Sequence, residues 1–351
     1  MIIFNFKFRD MKKQVLMMAA LALVLGGCSK TETTDVAQGR AIGFDTFVGK
    51  STKAVTEMDN NSLTKFYVFG SYSSTGSWTP VFTNVGVSGG TVGTGGTKWT
   101  PEQTAYWQPS TTYHFGAYSN GNNSLDGASF NAESQTLTFT DYAVGDNDLI
   151  AAIPDYKTTD ATVTGEEVVN LTFSHLLSQV KFTFKNKDSY DYTMEISNIK
   201  IGSAVKTATG TLVKGSTVTW DGEANEEYDF GTLDDIAQAE GEDTHSVALL
   251  VIPQSNETLT VSFTATFKDA SGVELAKGNF TAPLAYSGDP VEAGTEANKW
   301  TPGFRYNYVA TINGSTIDPE LEQQVIKFTV ESVTPWDDAT EQNPDVTLEG
   351  A

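Results

Sequence analysis

Short segments that alternate apolar and polar residues recur along nearly the whole chain, and this period of two limits the fold more than any other feature. The clearest run from Ile42 to Val48, Lys65 to Tyr72, Thr112 to Tyr118, Gln135 to Thr140, Gln179 to Asn186, Tyr192 to Ile199, Ser246 to Ile252, Thr258 to Phe267, Arg305 to Ile312 and Val325 to Val333. Each is rich in Thr, Val, Phe or Tyr and is bounded by Gly, Asn, Asp or Ser, so one face of each strand is apolar and turns separate them. The pattern predicts an all-β protein built as sandwiches. No stretch of ten or more residues has a helical period; Ser174 to Gln179 and Leu233 to Ala239 read as single helical turns. The glycine cluster from Gly86 to Gly96 reads as a mobile loop.

The first 27 residues do not belong to that pattern. An odd decapeptide precedes Met11, Lys12 and Lys13, after which Val15 to Leu25 is an apolar run of 11 residues. A bilayer span takes about 20 residues, so a basic end followed by so short a run reads as a secretory signal, with Met11 as the true start. Leu25, Gly26, Gly27 and Cys28 form the pattern of a bacterial lipobox, in which the cysteine sulfur takes a diacylglyceryl group before the signal is cut. The alternative reading of Cys28 is a free thiol beside a signal peptide. Two or three acyl chains anchor a protein firmly where one holds only marginally.

Cys28 is the only cysteine, so no intramolecular disulfide can form and apolar burial must stabilise the fold. Removing residues 1–27 leaves 324 residues, enough for two domains. Residues 28–40 are polar and read as a tether. A polar Gly-Glu-Glu stretch between Thr162 and Asn170 marks a boundary, giving domains at 41–168 and 169–351. The removed segment carries four basic residues and one acid, which takes the formal charge from −22 to −25. Phosphate contacts need a basic face, so nucleic acid is excluded as a partner, and the acidity serves solubility.

Little in the chain has the form of a catalytic or metal site. His114, His175 and His245 stand apart from one another, and none has a carboxylate at ligand spacing, so each reads as structural. Asp146, Asn147 and Asp148 resemble the start of a calcium loop but lack the downstream glycine and glutamate, and read as a solvated turn. No nucleophile elbow, phosphate loop or dinucleotide fingerprint occurs, so the chain is read as no enzyme, with no metal and no cofactor. Among six tryptophans, Trp78 and Trp99 lie near loops and offer an aromatic platform for glycans, whereas Trp107 beside the Tyr113 strand reads as core.

Several of these segments, taken together, carry a resemblance. Lys65 to Gly70 (Lys-Phe-Tyr-Val-Phe-Gly), Tyr106 and Trp107 ahead of Tyr113 to Tyr118 (Tyr-His-Phe-Gly-Ala-Tyr), Asp148 to Ala152 (Asp-Leu-Ile-Ala-Ala) and Leu171 to Val180 (Leu-Thr-Phe-Ser-His-Leu-Leu-Ser-Gln-Val) are the most distinctive. With the lipobox, the Ile42 to Val48 strand, Tyr306 to Ile312 and Ile326 to Trp336, they resemble the fimbrillin-like proteins of the Bacteroidetes, the type V pilin superfamily. The resemblance implies two tandem transthyretin-like (Greek-key) β-sandwich domains and a subunit of an adhesive surface fimbria whose partners are other fimbrial subunits. It also implies a lipoprotein precursor carried to the outer membrane through the lipid on Cys28, trimming by a trypsin-like protease, and assembly by strand exchange.

On that reading the Ile42 to Val48 strand, with Ile42, Phe44 and Val48 on one face, fills a groove from which it is displaced. Family analogy puts the maturation cut just after this strand, at Lys53 and Ala54, although several relatives have arginine there. The other reading of Lys53 is a surface-loop lysine. A cut at Arg40 would free the tether and leave the strand in place. Val325 to Val333 reads as the last strand of its own domain, which leaves the tail from Asp337 to Ala351, with Val346 and Leu348, as the candidate donor. A surface lipoprotein that binds glycans through Trp78 and Trp99 is the rival reading.

Overall fold

The computed structural model describes residues 41–48, 58–91, 98–161, 163, 168–187, 192–237, 246–285, 294–314, 317, 324–325 and 329–335. Among them no α-helix occurs, and the fold is all-β. In the first half the strands are β1 (Gly43–Val48), β2 (Lys65–Ser73), β3 (Thr79–Ser88), β4 (Thr100–Pro101), β5 (Thr112–Asn120), β6 (Ala128–Asn131), β7 (Thr136–Ala143), β8 (Leu149–Ala152), β9 (Lys157–Thr158) and β10 (Val168–His175). The chain continues through β11 (Ser178–Asn186), β12 (Thr193–Ala204), β13 (Thr207–Val213), β14 (Thr219–Asp221), β15 (Glu226–Asp229) and β16 (Leu233–Ile236). It ends with β17 (Ser246–Val251), β18 (Thr260–Lys268), β19 (Glu274–Pro283), β20 (Phe304–Ile312), β21 (Gln324–Val325) and β22 (Thr329–Pro335).

The first sheet runs β1-β10-β8-β5-β2-β3-β4, with β9 added beside β5. Bridges from Ala41 to Tyr106 and from Phe44 to Trp99 bring β1 against the far end of this same sheet, which therefore curls around its own core. Phe44, Phe66, Phe82, Trp99, Trp107, Tyr113 and Phe115 fill that core, with Val169, Leu171 and Phe173 from β10. The expected division at 168/169 falls where β10 begins. β10 completes the first sheet, so three side chains assigned to the second half pack in the first core.

A second core lies between the sheets β17-β11-β20-β22 and β15-β12-β18-β19-β21, with β16 beside β12. Phe182, Phe184, Met194, Ile196, Phe263, Trp300 and Tyr308 are among its side chains. Tyr308 is pinned inside it: its hydroxyl accepts the Trp300 indole N–H at 3.0 Å and donates to the Leu284 carbonyl at 3.0 Å. Burial pushes the Tyr308 phenol well above its ordinary value, so it stays neutral.

The halves are also joined by main-chain bonds. A four-stranded sheet, β14-β13-β7-β6, pairs β7 of the first half with β13 of the second from Thr207↔Ala143 to Val213↔Thr136. It packs on β5 where Gly116 lies, and a Cβ there would stand 2.8 Å from Phe130 and 3.0 Å from Leu137. Only glycine permits so close an approach.

Three local expectations are corrected. Leu233 to Ile236 is strand β16, paired with β12 at Met194 and Ile196, so lateral pairing overrides a weak helical preference too short to nucleate. Ser174 to Gln179 is the end of β10 and the start of β11. The Val325 to Val333 run is divided between two sheets, since Val325 pairs with Thr281 of β19 whereas Thr329–Pro335 pairs with β20. Of the Gly86 to Gly96 cluster, Gly86 lies within β3, and residues 92–97 fall outside the described residues.

Candidate functional site

The seat of β1 is the best-defined site in the fold. On one side β1 runs parallel to β10, in register from Gly43↔Val168 to Val48↔Phe173. On the other side the Trp99 N–H donates to the Phe44 carbonyl at 3.3 Å, and the Ile42 N–H donates to the Ala105 carbonyl at 2.8 Å. The strand is held on both sides, and its alternation does the rest: Ile42, Phe44, Thr46 and Val48 point inward and are buried, whereas Phe47 is 48% exposed. The Phe44 ring lies 6.0 Å from Phe66, 5.8 Å from Phe82 and 6.0 Å from Phe115, edge-on to the first and last. Such edge contacts add to what burial alone contributes.

Both flanks of the following segment are fastened. The Val48 N–H donates to Asn60 Oδ1 at 2.8 Å. Past residues 49–57, the Met58 N–H donates to Asp148 Oδ2 at 3.1 Å, and the same oxygen takes a 2.6 Å bond from His175 Nδ1. The Asp148 and His175 side chains are 0% and 1% exposed, so a buried acid–imidazole pair joins the end of β10, the approach to β8 and the return of the chain at Met58. A turn then leads into β2, with Asp59 accepting from the Asn61 N–H at 2.9 Å and the Ser62 N–H at 2.6 Å. Burial alone would raise the Asp59 carboxyl, but hydrogen bonds from Ser62 and Asn61 outweigh it and hold the group below its ordinary value.

Two expectations about polar residues are corrected by this arrangement. Asp148 is a buried, bonded carboxylate and not part of a solvated turn, while its neighbour Asp146 is exposed. The fold also gives His175 the carboxylate partner that sequence spacing denied it, across 27 positions. Among the described residues no group of three or more His, Cys, Asp or Glu is placed to hold a metal ion.

The aromatic platform is corrected as well. Trp99 is 1% exposed and packs 5.3 Å from the Phe66 ring inside the first core, so it cannot share an exposed face with Trp78. Trp78 is half-buried and stacks on His114, ring centroids 4.1 Å apart, while His114 Nδ1 bonds the Ala132 carbonyl at 2.6 Å. Trp107 is core, against Tyr113 at 4.7 Å. Cys28, Leu25, Gly26, Gly27, Arg40, Lys50, Lys53, Ala54 and His245, and the tail from Asp337 to Ala351, lie outside the described residues.

Sequence reasoning missed the Asp148–His175–Met58 junction. Its only signal was that the Asp-Leu-Ile-Ala-Ala and Phe-Ser-His stretches are both distinctive, and neither says that they meet.

A family model described as fimbrillin-like matches residues 52–336. Among solved structures, a fimbrial protein from Bacteroides vulgatus superposes with a TM-score of 0.52 at 17% identity, covering 85% of this chain and 99% of that one. A fimbrilin from Porphyromonas gingivalis gives a TM-score of 0.43 at 14% identity, covering 84% of this chain and 97% of that one. No curated protein matches.

Proposed function

The chain belongs to the fimbrillin-like family, and from that premise we propose that it is made as a lipid-anchored precursor, cut between β1 and Met58, and joined to its neighbours by strand exchange. Membership makes it a structural subunit of a cell-surface fimbria and not an enzyme, with other fimbrial subunits as its partners. Adhesion is the role proposed for the assembled fibre.

One observation carries the reading: β1 occupies an inner seat with hydrogen bonds on both sides, yet it joins the rest of the chain through residues 49–57, which contain Lys50 and Lys53. A trypsin-like cut at Lys53 and Ala54 touches none of the contacts on either flank. Val48 stays bonded to Asn60, and Met58 stays bonded to Asp148. The upstream piece then consists of Cys28 with its acyl chains, the tether and β1, which suits attachment to the outer membrane before assembly. Thr329–Pro335 is engaged by β20 within its own sheet, which favours the tail, with Val346 and Leu348, as the donor to a neighbour's seat.

The test is mild trypsin treatment of the purified precursor. A fragment ending at Lys53 should be released, and the remainder should form oligomers slowly. A clipped product that stays monomeric for days counts against a polymerising role, and protein recovered from cells with Cys28 at its N-terminus in the mature fibre counts against the cut.

A further inference from the structure

The inward face of β1 carries three apolar side chains and one hydroxyl, and the hydroxyl does not fit. Thr46 is 3% exposed and its Oγ1 has no hydrogen-bond partner. Its backbone N–H is engaged by the Asp45 carboxylate at 2.8 Å, so the misfit is confined to the side chain. On the wall of the same seat, the Trp99 indole N–H is likewise buried without a partner. Buried polar groups are almost always paired, so two unpaired ones in one small seat need a reason.

We propose that Thr46 sets the selectivity of the seat: the groove prefers a strand from another fimbrial subunit that runs parallel to β10 and presents valine at the third inward position. This inference rests on the strand-exchange reading. The pockets of Ile42, Phe44 and Val48 are filled by side chains that match them, with Phe44 touched by three rings. At Thr46 a valine has the same branched shape and no hydroxyl, so it fills the same space without a stranded polar atom, whereas isoleucine adds a methylene that a packed core resists. An unpaired buried hydroxyl weakens an equilibrium by roughly 5- to 150-fold. The resident strand therefore holds the seat less tightly than its shape allows, and an incoming strand with valine holds it more tightly.

The experiment uses the full chain clipped within residues 49–57, with β1 still seated, and two labelled synthetic peptides: residues 41–49 as they stand, and the same peptide with Thr46→Val. The valine peptide should displace β1 with an apparent affinity about tenfold higher than the native peptide. A third peptide with Thr46→Ser, which keeps the hydroxyl and loses the methyl, should bind more weakly than either. In the intact chain, T46V should raise the melting temperature by about 2–4 °C. Entry of both short peptides without a valine preference, or a lower melting temperature for T46V, overturns the inference while leaving strand exchange standing. If no peptide enters the seat, the strand-exchange reading itself fails and the selectivity role falls with it.

Discussion

Phe44→Ala is the sharpest probe of whether β1 is a separate, removable unit. Phe44 is fully buried, its ring meets Phe66, Phe82 and Phe115 within 6.0 Å, and its carbonyl accepts from Trp99. Truncating a buried phenylalanine costs about 3–5 kcal/mol, from lost transfer energy and from the cavity left among its neighbours. Ile42, Phe44 and Val48 together contribute about 5 to 9 kcal/mol at 1.5 to 3 each, before main-chain bonds are counted, so one substitution removes about half of what the apolar side chains of the strand supply. Local opening should rise accordingly, by about 150- to 5000-fold when that cost is converted at 1.36 kcal/mol per factor of ten. Hydrogen exchange measured by mass spectrometry would place the change. Amides of β1 and of residues 168–173 in β10 should lose protection, while β11 and β20 in the second core keep theirs. Phe47→Ala, on the exposed face of the same strand, should change stability by no more than about 0.5 kcal/mol. Unchanged β10 protection in Phe44→Ala, or an equal loss in β11 and β20, would refute the reasoning, because β1 would then open only with the whole molecule.

Two further outcomes follow from the junction beside the seat. Asp148→Ala removes the acceptor of both the Met58 N–H and His175 Nδ1, and breaking a buried pair of this kind should cost about 3–5 kcal/mol; a urea midpoint equal to that of the parent would contradict it. The Asp59 carboxyl is held below its ordinary value, so its contribution is complete above the unfolded carboxylate pKa of about 3.9 and is lost as pH falls through the folded one. Asp59→Asn should therefore melt below the parent at pH 6 and converge with it in strong acid, and a gap that does not shrink on acidification would show the carboxylate to be irrelevant.

The fold class was legible because strand alternation is a local property: β1 buries every second residue, and β2 and β5 begin the same way before both of their faces become buried. Other strands escaped notice for physical reasons. β10 reads Val-Val-Asn-Leu-Thr-Phe-Ser-His and alternates well, yet the polar stretch before it suggested a boundary. β3 contains Gly86 and leads into a glycine cluster, and β19 contains Gly278, so turn chemistry masked both. β8 buries both faces, Leu149 and Ala151 against one core and Ile150 and Ala152 against the other, and therefore shows no alternation at all. In the candidate site, the inward set Ile42, Phe44 and Val48 was visible from spacing alone. The walls were not, because β10 and Trp99 lie about 125 and 55 positions away, by the pairings Gly43↔Val168 and Phe44↔Trp99. Trp99 was misjudged for the same reason: loop-like neighbours in sequence say nothing of the Phe66 ring that covers it.

The same geometry explains how one peptide bond could decide whether the seat is filled. On the proposed processing route, β1 is covalently joined to its own groove before the cut, and a short connection acts as an effective concentration on the order of 1 mM. After the cut that local concentration is lost, so a seated β1 becomes exchangeable for a strand from a neighbouring subunit. No hydrogen bond to β10 or Trp99 and no contact of Phe44 changes in that step, and the flanks at Asn60 and Asp148 stay fastened. The cut therefore acts through concentration and not through contacts. A protease that leaves the body intact then suffices to turn a filled seat into one that a neighbouring subunit can take, and the unpaired hydroxyl of Thr46 tilts that competition toward the newcomer.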